Sequence, residues 1–332
     1  MNTIAFFNNK GGVGKTSLVY HLAWMFSELG IKVLAADLDP QSNLTSMFLD
    51  DSCLEELWCD TAVNGTIYKA LRPMIKGIGD VADPQLRIIT EYLSLIPGDL
   101  ALASFEGILS NAWAGCADKH EKDFRITSSF YRILEQAAQK TQAEIVLVDV
   151  GPNLGAINRA AIIASQRIII PMAADLFSLQ GLKNLGPTLQ TWQEEWQIRL
   201  TNWNSLKDRD TISLPLAEIQ SLGYVLMQNP VRRSRPVKAY ERWMMKIPYI
   251  YNELILKSLQ KSELHIEEDP HCLSILKHYY SLMPLAMEAR KPMFLLTPAD
   301  GAIGAHVSAV NHCRQDFKKL AEKLLSITSV LC

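Results

Sequence analysis

Thr3-Ile4-Ala5-Phe6-Phe7-Asn8-Asn9-Lys10-Gly11-Gly12-Val13-Gly14-Lys15-Thr16-Ser17 decides the fold of this chain. Apolar residues of strand type run into a glycine-rich loop, and the loop closes on Gly14-Lys15-Thr16 where a helix opens. A triphosphate calls for this order. Glycines let backbone N–H groups approach phosphate oxygens and point at them. The free N–H groups and positive dipole end of the new helix favour the anion. Gly11, Gly12, Val13 and Gly14 form the backbone cradle, with Ser17 completing the set. Lys15 is placed to reach the β- and γ-phosphates and the Thr16 hydroxyl to ligate Mg²⁺. The strict phosphate-loop pattern asks for glycine where this chain has Asn9. Lys10 follows at once, so the loop carries a second lysine.

That variant, Lys-Gly-Gly-Val-Gly-Lys-Thr, resembles the deviant Walker A loop of the ParA/MinD family of ATPases. Strand, loop, Lys-Thr and helix arrive together at the N-terminus, where this family carries them, so a chance glycine-rich turn does not account for them.

The stretch from Thr16 to Leu29 reads as a helix, with Leu18, Leu22, Met25, Phe26 and Leu29 at helical spacing and Gly30 as its stop. Ile31 to Asp37 reads as a buried strand ending in acid. Strand, loop, helix and strand over about 35 residues make a βαβ unit, which implies a parallel sheet with a right-handed crossover. Carboxylates at the carboxyl end of such a strand face the ligand crevice. Spacing by two puts Asp37 and Asp39 on one side if the strand continues, whereas Pro40 equally permits a turn. The run Asp37 to Thr45 resembles the family's second element, often called Walker A′. By that resemblance Asp39 orients or activates the attacking water, and Asp37 supports the Mg²⁺ shell.

Ile145-Val146-Leu147-Val148-Asp149 has the form of Walker B: a buried strand capped by an aspartate that holds Mg²⁺ directly or through water. The family usually continues with cysteine or threonine and two prolines. This chain continues Val150-Gly151-Pro152, which leaves the role of the residue after Asp149 open. Asn158 to Ala174 continues the family pattern as a helix and a further parallel strand, and Asp175 to Leu182 matches the next helix start. Leu93 to Ala103 resembles the family's strand and loop ahead of Walker B. Leu222 to Gln228 reads as another strand.

Composition sets the outer limits. The chain has 332 residues, 48% hydrophobic and 20% charged, which suits a globular protein and not a disordered one. A net charge of −2 gives no global pull toward nucleic acid, so such binding needs a local patch. No stretch approaches the roughly 20 apolar residues that span a bilayer, and the first apolar run is too short for export. None of the six cysteines forms a Cys-x-x-Cys pair, which argues against the iron–sulfur relatives and for reduced thiols.

Between Arg232 and Lys246 the composition turns basic: Arg232, Arg233, Arg235, Lys238, Arg242 and Lys246 stand against one acid, Glu241. This is either a DNA-contacting face or a solvated helix face. Trp192 and Trp196, four apart, read as packing residues. Leu282 to Met293 resembles the late family loop that wraps the adenine, with Pro284 as its candidate contact. Ala302 to Ser326 reads as a closing helix, with Val307, Val310, Phe317, Leu320 and Leu324 as an apolar stripe that packs and does not dock on a membrane.

The expected fold is a doubly wound α/β, mostly parallel sheet with helices on both faces. Residues 1–332 form a single ATPase domain, with a helical and basic elaboration at about 200–275. The resemblance implies ATP and Mg²⁺ as ligands and a cytoplasmic ATPase that forms an ATP-bound sandwich dimer. It also implies slow turnover raised by a protein partner, and non-specific DNA as a partner. Lys10 would reach across the dimer to the other protomer's nucleotide and act in phosphoryl transfer, beside Lys15 and Asp39. Two other classes compete: an adaptor that binds ATP with little hydrolysis, and a metabolic P-loop ligase or kinase.

Overall fold

In the computed structural model, residues 2–59, 65–207, 210–227, 242–258, 265–279 and 281–330 are described. They build one eight-stranded sheet. Its strands are β1 (Asn2–Phe6), β2 (Val33–Asp37), β3 (Arg87–Thr90), β4 (Leu93–Ile96), β5 (Ile145–Asp149), β6 (Arg167–Met172), β7 (Gln220–Met227) and β8 (Cys272–Leu276). Their order is β3-β4-β2-β5-β1-β6-β7-β8, and every neighbouring pair is parallel except β3 with β4. The doubly wound, mostly parallel sheet expected from the sequence is therefore present.

Alternation along the central strands splits the core into two layers. Ala5 and Phe7 face one side with Leu34, Ala36, Val146 and Val148, while Ile4 and Phe6 face the other with Val33, Ala35, Ile145 and Leu147. Both faces are covered by helices, which is why these strands are apolar at nearly every position. The second layer is closed by α1 (Lys15–Glu28) and the last helix, α12 (Ala305–Val330). In α12, Phe317, Leu320 and Leu324 are buried as the stripe predicts, but Val307 is 46% exposed, because it lies on the helix's first turn, ahead of Ala309, Val310 and Cys313, where packing on the body begins.

The opposite layer holds α7 (Ser129–Thr141), α8 (Ala156–Ser165) and the 29-residue α9 (Leu176–Asn204). Trp192 and Trp196 are both buried, Trp192 lying 6.4 Å from the Phe7 ring and Trp196 stacked on Trp113 at 5.7 Å. Together with Phe124 and Trp203, Trp196 belongs to a separate aromatic cluster.

Three stretches carry regular structure beyond what was read from the sequence. The stretch 200–275 holds β7, most of β8 and a short helix, α10 (Ile247–Leu254), so much of it belongs to the sheet layer. Residues 45–110 hold α2 (Asn43–Phe48), α3 (Asp51–Trp58), α4 (Ile67–Ile75), the antiparallel edge strand β3 and the start of α5 (Phe105–Ala117). The stretch read as an adenine-wrapping loop contains α11 (Leu282–Ala289), because Pro284 sits in a first turn, where its missing N–H leaves no bond unmade.

Candidate nucleotide and metal site

The phosphate loop bridges β1 and α1. Gly12 (φ 72°) and Gly14 (φ 79°) lie in the left-handed region that favours glycine, and Gly14 caps α1 with no side-chain bond to its first N–H groups. A side chain at Gly14 would also press on Met227, whose Cε would lie 3.1 Å from an added Cβ. Gly11 and Gly12 are exposed, Val13 is buried, and Thr16 and Ser17 are half-buried. Lys15 is buried, and its Nζ donates to the carbonyls of Asn8 (3.2 Å) and Lys10 (3.3 Å). Burial lowers its pKa, and the nearby Asp149 and Asp39 carboxylates oppose that shift.

Asn8, which the sequence reading passed over, staples the loop. Its Nδ2 donates to the Pro171 carbonyl (2.7 Å), and its Oδ1 accepts the Lys10 N–H (3.0 Å). An asparagine leaving a strand is so common in turns that nothing in the sequence marked it.

Facing the loop are the carboxyl ends of β2 and β5, where Asp37 and Asp149 are register partners. Asp37 is fully buried, and its Oδ2 accepts from the Thr45 N–H (2.8 Å) and hydroxyl (2.7 Å). Burial pushes its pKa up to about 7, against the Thr45 bonds, with Asp39 adding repulsion. Asp149 is also fully buried, and neither of its oxygens has a hydrogen-bond partner among the described residues. Burial and then the Asp37 charge drive its pKa well up; the Thr16 hydroxyl draws it down without a bond of ordinary geometry. Asp39 is 6% exposed and accepts the Gln41 N–H at 3.0 Å. Pro40 does end the strand, so Asp39 sits on the turn beyond Asp37. A buried carboxylate with two orphaned oxygens, beside a second acid and the Thr16 hydroxyl, fits a hard divalent cation: oxygen donors and uncompensated negative charge are what Mg²⁺ takes.

Lys10 points elsewhere. Its Nζ pairs with Asp175 Oδ2 at 2.5 Å and lies 5.9 Å from the centre of the exposed Phe177 ring. Asp175 caps α9 by accepting the Ser178 N–H (2.8 Å). Burial works against its charge, yet Lys10 and that N–H hold its carboxyl below the usual range. The sequence showed only a helix start here; the ion pair joins residues 165 positions apart.

Behind the loop, His21 of α1 is fully buried. Its Nδ1 lies 2.7 Å from the Ser17 carbonyl and must donate, whereas Nε2 accepts the Met293 N–H (3.1 Å). The ring stacks on Phe317 at 5.0 Å. Burial lowers its pKa from 6.5 to about 4. The unfolded chain then binds the extra proton first, so stability should fall as pH drops from 6.5 toward 4, by about 3 kcal/mol at most. Melting curves should show this slope in the wild type and lose it in His21→Gln; an unchanged slope would mean His21 does not carry it.

Pro284 is exposed on α11. Of the basic residues, Arg232, Arg233, Arg235 and Lys238 lie outside the described residues. Arg242 is exposed and sits 5.5 Å from the centre of the Trp243 ring. No helix among the described residues is long and apolar enough to cross a membrane.

The family profile described as an AAA domain matches residues 1–202. The chain belongs to the ParA/MinD-type P-loop ATPase family. It is 30% identical over 191 residues to the cell division protein PomZ of Myxococcus xanthus, a match covering 57% of this chain and 52% of PomZ. It thus spans about half the length of that relative. Among solved structures, protein DIP2308 of Corynebacterium diphtheriae superposes with a TM-score of 0.71 at 21% identity, covering 98% of each chain. A singly substituted McdA of Cyanothece in complex with ATP superposes with a TM-score of 0.63 at 17% identity, covering 98% of this chain and 96% of that one. These likenesses carry the fold.

Proposed function

We propose that this ParA-type chain is a Mg²⁺-dependent ATPase that uses ATP binding and hydrolysis to time its attachment to DNA or another cargo. The observation that carries this reading is the pairing of a buried Lys15 at a left-handed glycine turn with the unpartnered Asp149 carboxylate at the end of β5. The cradle Gly11 to Ser17 and Lys15 would hold the β- and γ-phosphates. Thr16 and Asp149 would hold Mg²⁺, with Asp37 behind them. Bound Mg²⁺ would offset charge on the transferred phosphoryl group. Asp39, whose carboxylate is not fixed by a side-chain partner among the described residues, would orient the attacking water.

Two protomers would share their sites. Lys10 turns away from its own loop toward Asp175, which suits a lysine that acts on a partner's nucleotide as an arginine finger does in other NTPases. Leu154, Leu176 and the exposed Phe177 stand on the same end of the sheet and would form the rim of that contact. Lys10→Ala and Asp39→Ala protomers should each lose turnover. A mixed dimer should regain roughly half the activity of an intact one, since the site on the Lys10→Ala protomer keeps Asp39 and receives the partner's intact Lys10, while the other site lacks both. If Lys10 acted within its own chain, mixing would restore nothing, because one site would lack Lys10 and the other Asp39.

ATP turnover measured with and without duplex DNA and co-encoded proteins tests the whole reading. Stimulated hydrolysis supports it; ATP binding with no turnover under any condition favours the adaptor. For DNA, ATP-gated shifts of unrelated duplexes of equal length are expected, with charge reversal at Arg232, Arg233 and Arg235 abolishing them and sparing basal hydrolysis. Six neutralised phosphates per dimer would lower affinity by about three orders of magnitude between 50 and 200 mM salt.

A further inference from the structure

The loop from Asp149 to α8 contains no side chain that bonds Asp39 among the described residues, yet it forms the wall against which Asp39 rests. That wall is Gly151: a Cβ built there would lie 3.3 Å from Asp39 Oδ1 and 3.5 Å from its Cγ. Gly151 does not have a positive φ, so glycine is present for this close approach and not for the turn. The same added atom would lie 3.6 Å from Asn158 Nδ2. Asp39 and Asn158 therefore flank Gly151 so closely that any side chain there would meet both.

Asn158, on the first turn of α8, is 1% exposed. Its Nδ2 donates to the Gly151 carbonyl at 2.8 Å and to the Asn153 carbonyl at 2.7 Å, with Asn153 Oδ1 at 3.1 Å. Asn153 Oδ1 also accepts the Gly155 N–H (2.9 Å). The helix that carries Asn158 is fixed in turn by Glu106 of α5, whose carboxylate accepts from the N–H groups of Ala156 (2.5 Å) and Ile157 (2.9 Å). One buried amide thus ties the loop's two carbonyls to a pinned helix end, and the loop surface so fixed is the one Asp39 leans on.

We infer that Asn158 is a positioning residue for Asp39: it holds Gly151 in place and thereby sets the direction of the carboxylate that orients the attacking water. This rests on the proposed hydrolysis. Among the described residues Asn158 makes no hydrogen bond to the phosphate loop or to Lys15, so nucleotide affinity should be spared. Displacing a catalytic group by about 1 Å can cost up to 100-fold in rate, whereas ground-state binding through other groups is unaffected.

Asn158→Ala should lower kcat by roughly 10- to 100-fold while the nucleotide Kd changes by less than about threefold. Gly151→Ala, which leaves Asn158 in place and pushes on Asp39 directly, should lower kcat in the same way. The double variant should lose little more than the worse single one, since both act on one contact. Wild-type kcat in Asn158→Ala, a parallel loss of kcat and affinity, or additive losses in the double variant would each overturn the inference. A wild type that never turns over would instead sink the ATPase reading. The contact itself is then read without activity: Asp39→Ala should shift the Asn158 side-chain amide signals in an NMR spectrum of the nucleotide-free protein, and unmoved signals would overturn it.

Discussion

Lys15→Ala should reduce ATP affinity by about 100-fold or more while the protein remains folded. The ammonium is buried and sits among loop carbonyls, with Asp149 and Asp39 near enough to sustain its charge. Removing one member of a buried charge pair costs about 2–5 kcal/mol, and 1.4 kcal/mol is tenfold. The free protein sheds the cost of burying the ammonium but loses its two carbonyl bonds and the cation beside Asp149 and Asp39, so its melting temperature should change little. Titration with a fluorescent ATP analogue measures the first effect and a thermal melt the second. Wild-type affinity in this variant would dismiss the phosphate-loop assignment; reduced affinity with a collapsed melt would assign Lys15 to folding.

The second large effect should come from Asp149→Asn, which removes one of two facing, fully buried carboxylates. Burial and the Asp37 charge raise the Asp149 pKa well above that of the unfolded chain. A raised carboxyl pKa is a penalty that is absent below about pH 4 and grows as pH rises toward the folded value. The variant should therefore match the wild type near pH 4 and be the more stable of the two at pH 7.5. It should also weaken the dependence of nucleotide binding on Mg²⁺, because one of the two unpartnered oxygens becomes an NH2 group and the negative charge is lost. Melts across this pH range with and without Mg²⁺ decide the matter. A wild type more stable than Asp149→Asn at pH 7.5 without metal would show that the carboxylate is paired in some other way.

The site was legible where chemistry is local to a few residues. The turn glycines, Lys15, Thr16 and the acids closing β2 and β5 announce themselves because a phosphate loop and a parallel strand end each impose a residue type at a fixed spacing. What the sequence hid is what joins distant segments. Asp175 holding Lys10, Glu106 closing α8 and His21 receiving the Met293 N–H involve ordinary polar residues whose partners lie far along the chain. The edge strand β3 was hidden for another reason. With Ile88 69% exposed, it lacks the half-buried alternation by which an antiparallel strand is read. In α11 the resemblance to a loop misled, since a proline is as comfortable in a helix's first turn as in a bend.

The position of β1 has a bearing on the order in which the molecule can be made. Though it is made before the other seven strands, it lies between β5 and β6, whose residues begin at Ile145 and Arg167. A nascent chain that has reached residue 144 already contains the whole phosphate loop, Asp37 and Asp39, yet β1 has neither of its neighbours and α1 lacks Met293, Phe294 and Phe317 to lean on. The nucleotide-binding segment is thus made long before the two strands that flank β1 exist. Until the far end of the chain emerges, its apolar strand is exposed to other nascent segments and to chaperones.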